Sequence, residues 1–308
     1  MIRNSSGRSF QKVTPRTMGG CGTEPLAPDC SLEPSVEMKQ QEQKSMSRKG
    51  KLYGIGVGPG DPDLITIKAV RILKSVSVIF AASSTKNDYS LARNIIRKHA
   101  PEANIETLPF PMNNDKVVLQ KAWESNAKIV LKALSERGDV AFVTLGDPMT
   151  YSTFSYLLNT VRNIESQTDV EIIPGITSYQ AAASVANIPL VQGDQSLVVV
   201  SGAKGGAELL ETLKLVDNVV ILKTYKYFDK IYETLENLDL LDQSTFFSRL
   251  GLPGEEIVRN VKTLKSATTS YLSLIIVNRT NNQNHDDKLN FWKMKPLTKI
   301  DKKPSEDK

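Results

Sequence analysis

Between residues 51 and 279, apolar runs of strand length alternate with longer stretches of helical periodicity almost without a break. This alternation constrains the fold more than any single motif. Strands separated by helices build α/β layers with largely parallel strands, because each crossover helix returns the chain to the same sheet edge. The strand-like runs are Lys51–Val57, Val76–Ala81, Ile105–Leu108, Val140–Leu145, Val170–Ile173, Leu197–Ser201, Asn218–Leu222, Thr245–Ser248 and Tyr271–Asn278. Helical patterns occupy Leu64–Ser75, Tyr89–Ala100, Asp115–Arg137, Thr153–Ile164, Ser178–Ala186, Ala207–Leu213 and Phe228–Asn237. Gly251–Glu256 reads as a helix-free loop. The run Gly193-Asp194-Gln195 is the best linker, which predicts α/β domains at 51–190 and 195–279. The second is small enough to need its neighbour for stability.

The ends differ from this body. Residues 1–50 and 279–308 each hold eight basic and five acidic residues, leaving 23 basic against 24 acidic for 51–278. The formal charge of +5 therefore resides in the ends. A body of net −1 argues against nucleic acid, whose phosphates require basic residues on the folded surface. Residues 1–50 read as a disordered or non-native extension, with an organelle transit peptide or translation from Met46 as alternatives. Residues 280–308 read as a charged tail.

Cys21 and Cys30 both lie in the extension, and His99 is the only histidine of the body. The body thus has no thiol nucleophile and no histidine-rich metal centre. No apolar run approaches the roughly 20 residues of a membrane-spanning helix. The expectation is a cytoplasmic protein that binds no membrane and no metal.

Three strand ends run into loops rich in Gly and Pro: Gly54-Ile-Gly-Val-Gly-Pro-Gly60, Leu145-Gly-Asp-Pro-Met-Thr-Tyr151 and Pro174-Gly-Ile-Thr-Ser178. The first has the wrong spacing for the dinucleotide fingerprint, and no Gly-Lys-Ser/Thr follows it to make a phosphate loop. Parallel strands place all three loops on one edge, where ligands of open α/β sheets bind. Taken alone, each is only a turn; their convergence favours a site.

In order and spacing, GIGVGPGDPDLITIKAVRILKSVSVIF (54–80), LGDPMTYSTF (145–154) and PGITSYQAAASVANIPL (174–190) resemble the tetrapyrrole methylases, S-adenosylmethionine-dependent enzymes of corrin and sirohaem synthesis. Leu108-Pro-Phe-Pro-Met112, Ala122-Trp123-Glu124 and 144–158 look most like the branch that methylates C-20 of precorrin-2 or cobalt-factor II in cobalamin biosynthesis. The resemblance implies two αβα domains with S-adenosylmethionine in the cleft between them, a small-molecule tetrapyrrole substrate and a homodimer. It places the cofactor against Pro59, then Leu145, Gly146, Asp147 and Thr150, then Thr177 and Ser178, with Lys223 and Gly251 at the remaining positions. Tyr225 is the candidate to assist loss of the C-20 proton, the alternative being an ordinary tyrosine at a cleft rim. Arg93, Lys223, Lys226 and Arg249 are candidates for the substrate carboxylates, though the plainer reading of each taken singly is a solvated surface charge. Other readings are C-11 or C-17 methylation, diphthine synthesis, ribosomal-RNA methylation or, outside the family, a nucleotide-binding regulatory module.

Overall fold

The structure, a computed structural model, describes residues 49–83, 91–111, 115–202, 205 and 207–279. The N-terminal extension through Arg48 and the tail from Thr280 lie outside the described residues, as do Met112 and both cysteines. Among the described residues no helix is long and apolar enough to cross a membrane.

Two five-stranded sheets follow one another along the chain. The first contains β1 (Leu52–Gly56), β2 (Val78–Ser83), β3 (Ile105–Pro109), β4 (Val140–Thr144) and β5 (Val170–Ile173). Its order is β3-β2-β4-β1-β5, and every pairing is parallel. Helices α1 (Ile67–Leu73), α2 (Leu91–His99), α3 (Lys116–Glu136) and α4 (Phe154–Ile164) connect and cover these strands. Side-chain alternation divides the core between the two faces. Leu52, Phe80 and Phe142 pack with Val130, Leu134 and Phe154 on one, while Ile55, Ile79 and Val143 pack with Leu73, Ile95 and Ile96 on the other.

The second sheet holds β6 (Leu197–Ser201), β7 (Asn218–Leu222), β8 (Ser244–Ser248), β9 (Glu256–Val258) and β10 (Ser273–Asn278) in the order β6-β7-β10-β8-β9. Helices α6 (Ala207–Leu215) and α7 (Phe228–Asn237) accompany it. Only β6 and β7 run parallel; β10 is antiparallel to β7 and β8, and β8 to β9. The expectation of largely parallel strands is corrected here. No helix joins β8 to β9, so the chain turns back there, and β9 and β10 run opposite to β6, β7 and β8.

Other boundaries shift locally. The first helical pattern divides into a 3-10 turn at Pro62–Leu64 and α1, because Asp61 and Thr66 each supply a separate cap. The second strand begins two residues later than expected, and Gly251–Glu256 leads into the three-residue strand β9.

Helix α5 (Ser178–Ala186) begins with a capping box. Gln180 N–H donates to Thr177 Oγ1 at 3.4 Å, and Thr177 N–H to Gln180 Oε1 at 3.0 Å. Its alanines Ala181, Ala182, Ala183 and Ala186 pack against Val220, Phe247, Leu274 and Ile276 of the second sheet. The chain leaving the first sheet thus closes one face of the second.

At the start of α3, Asp115 accepts from Val117 N–H at 2.8 Å and Val118 N–H at 3.4 Å, and Gly138 at φ 87° follows its end. Asp115→Ala is expected to cost about 1 kcal/mol, or roughly 3 °C in melting temperature, read by thermal unfolding.

Candidate functional site

Because β4, β1 and β5 are neighbours, the loops after their carboxyl ends meet. Gly58 and Gly146 form an antiparallel bridge, with Gly146 N–H donating to Gly58 O at 2.7 Å. A Cβ on Gly56 would stand 2.4 Å from Gly146 O and 2.7 Å from Gly175 N; one on Gly175 would stand 2.2 Å from Gly146 O. The three backbones are therefore in contact, at a distance that any side chain would prevent.

Asp147 binds two of these loops together. Its Oδ1 accepts from Met149 N–H at 2.9 Å and from the Thr150 hydroxyl at 3.4 Å, while Oδ2 accepts from Gly175 N–H at 3.1 Å. Both carboxylate oxygens are engaged by the protein itself. Thr177 is likewise occupied, its hydroxyl donating to Gln180 Oε1 at 2.9 Å.

A fourth loop approaches from the second sheet. A Cβ on Gly60 would meet Leu250 O at 2.3 Å, and one on Gly251, at φ 70°, would meet Asp61 N at 2.5 Å. Nearby, Tyr151 reaches across and donates its hydroxyl to Val199 O of β6 at 3.1 Å. Lys223 Nζ lies 5.8 Å from the centroid of the Tyr151 ring. Tyr151 and Lys223 are non-glycine residues at φ 51° and 58°, and backbone strain of this kind gathers at functional sites.

Two cavities open between the sheets. One, of 280 Å³, is lined by Pro59, Leu145, Gly146, Asp147, Thr150, Thr177, Ser178 and Lys223, eight of the nine positions expected to meet the cofactor. The ninth, Gly251, lines the adjoining cavity of 780 Å³. Thr144, Leu145, Thr153, Leu252, Tyr271 and Leu272 line both, so these walls form a seam. Both volumes are near the range of about 300–1,000 Å³ common for ligand sites.

The remaining sequence candidates separate. Arg249 lines the larger cavity, its Nε donating to Pro253 O at 2.7 Å. Arg93 and Lys226 are exposed and line neither cavity. Tyr225 also lines neither; its ring packs on Tyr271, with centroids 5.0 Å apart and planes at 59°. Sequence reasoning missed Lys98, on the larger cavity's wall, and Tyr271 at the seam. Lys98 belongs to the basic last turn of α2, where it reads as a solvated charge. Burial raises the Tyr271 phenol above its ordinary value, and nearby Tyr225 adds to the shift. The phenol stays protonated at neutral pH and is a hydrogen-bond donor there.

Residues 51–265 match the model of the Tetrapyrrole (Corrin/Porphyrin) Methylases. The chain is 38% identical over 234 residues to the probable cobalt-precorrin-2 C(20)-methyltransferase of Methanocaldococcus jannaschii, covering 74% of this chain and 96% of that protein. It is 35% identical over 232 residues to the cobalt-precorrin-2 C(20)-methyltransferase of Salmonella typhimurium, covering 75% and 97%. Among solved structures, uroporphyrin-III C-methyltransferase of Thermus thermophilus complexed with S-adenosylhomocysteine matches with a TM-score of 0.56 at 22% identity, covering 74% of this chain and 92% of that one. The contacting glycine loops stand within the matched segment, and the chain belongs to the tetrapyrrole methylases.

Proposed function

We propose that this chain transfers a methyl group from S-adenosylmethionine to C-20 of precorrin-2 or its cobalt-bearing counterpart during corrin-ring construction. The observation that carries the reading is its similarity to two C(20)-methyltransferases over nearly their whole length. In this reading the 280 Å³ cavity receives the methyl donor and the 780 Å³ cavity the tetrapyrrole.

The residues present fit the donor. Contact among Gly56, Gly146 and Gly175 keeps side chains out of the loop junction. Ser178, Thr150 and the loop backbones offer neutral polar groups beside a ligand that carries its own positive charge. Lys223, the cation on the smaller cavity's described wall, lies against the Tyr151 ring. Bound S-adenosylmethionine supplies an electrophilic methyl carbon whose sulfur leaves as a neutral thioether, while the acceptor carbon gives up a proton. The chain's contribution is alignment, which can lower such a barrier by several kcal/mol without a nucleophilic Cys or His. Asp147 and the glycine junction hold the loops, and the Leu145, Leu252 and Leu272 side chains limit water at the seam. Lys98 and Arg249 on the larger cavity supply cations suited to the acid side chains of the ring.

The test incubates the purified chain with S-adenosylmethionine and, in separate reactions, precorrin-2 and cobalt-factor II. The expected product is heavier by one CH₂ for at least one acceptor, with the methyl on C-20 by NMR. Absence of S-adenosylhomocysteine formation with either acceptor removes the assignment.

A further inference from the structure

Resting on the reading of the two cavities above, we propose that Tyr271 is the substrate-orienting residue of the methylation, its hydroxyl donating a hydrogen bond to an oxygen of the tetrapyrrole at the seam. Six residues line both cavities, and Tyr271 is the one among them with an ionisable side chain. The others offer aliphatic surface or the hydroxyls of Thr144 and Thr153. Thr144 is already committed, since its hydroxyl donates to Leu145 O at 3.3 Å and accepts from Ser152 Oγ at 3.1 Å. Among the described residues, the Tyr271 hydroxyl has no hydrogen-bond partner.

The side chain is also held in place. Tyr271 stands two residues before β10, and the Tyr225 ring buttresses one side of it at 5.0 Å. Its 51% exposure leaves substantial surface turned to the open space. A protonated phenol is a poor acceptor for the departing C-20 proton, so the chemistry favours orientation over proton abstraction. The tetrapyrrole carries many carboxylate oxygens that can accept from it, and hydrogen bonds to charged groups are the stronger class. Tyr225, the tyrosine singled out in the sequence, becomes the support of the residue that meets the substrate.

The experiment compares full-length wild type, Tyr271→Phe and, as a control on a tyrosine that stacks on Trp123 and lines neither cavity, Tyr156→Phe for steady-state kinetics with the tetrapyrrole, S-adenosylhomocysteine affinity by calorimetry and thermal unfolding. Phenylalanine keeps the ring and its packing. For Tyr271→Phe, kcat/KM for the tetrapyrrole is expected to fall about 10- to 100-fold, with part of the loss in kcat because alignment is impaired. Its cofactor affinity and melting temperature remain those of wild type, and Tyr156→Phe keeps its kcat/KM. An unimpaired Tyr271→Phe beside an active wild type overturns this proposal alone. So does a loss confined to KM, which marks uniform binding, or one matched by weaker cofactor binding. A wild-type chain that binds no cofactor and methylates no tetrapyrrole overturns the two-cavity reading and this proposal with it.

Discussion

Gly175→Ala is expected to weaken S-adenosylhomocysteine binding at least about 100-fold, since a displacement near 1 Å at an aligned site has effects of that order. The new Cβ would lie 2.2 Å from Gly146 O and 2.8 Å from Gly56 Cα, both backbone atoms with no rotamer to change. Relief must come from moving a loop, and all three loops converge on this junction. Overpacking of this kind costs roughly 1–3 kcal/mol, equivalent to a fall of roughly 3–10 °C in melting temperature. Gly193→Ala is the control. Gly193 has φ 53° but nothing within 4 Å of an added Cβ, so it tests backbone strain without the collision. Calorimetry and thermal unfolding on both variants separate the two effects; equal cofactor affinity in both would remove the junction's role.

Asp147→Ala is expected to reduce affinity for S-adenosylhomocysteine roughly 10- to 100-fold by releasing the loop after β5 from the loop after β4. The variant deprives Met149 N–H and Gly175 N–H of their carboxylate acceptor. Asp147→Asn tests the same tie more gently. With donors on both sides, an amide can satisfy one position with its oxygen and must turn its NH₂ toward the other. The asparagine variant should fall between wild type and alanine, with kcat recovering partly at saturating cofactor because the residue acts through the loops. An alanine variant with unchanged affinity would show that the tie is dispensable.

Much of the first sheet was legible because β2 and β4 are buried apolar runs flanked by helix-length sequence, and β5 and α5 coincide with their expected limits. The meeting of the loops could also be expected, since parallel strands leave little choice about where their carboxyl ends lie. Strand direction in the second sheet was not legible. Ser244–Ser248 and Ser273–Asn278 are buried on both faces, so neither shows the apolar-polar alternation that marks a half-exposed antiparallel strand. Glu256–Val258 is shorter than any reliable alternation. Seven of the positions on the smaller cavity's wall came from motif residues, whereas Lys98 and Tyr271 carry no local signature. A lysine near a helix end and a tyrosine before a strand acquire meaning only when tertiary packing sets them beside a cavity.

The alanine face of α5 has a further consequence for how the molecule can be taken apart. A cut near Gly193 would leave that helix with the N-terminal fragment and strip Val220, Phe247, Leu274 and Ile276 of their cover on one face. The halves are therefore not interchangeable modules: grafting either onto a foreign partner must carry α5's complementary surface with it.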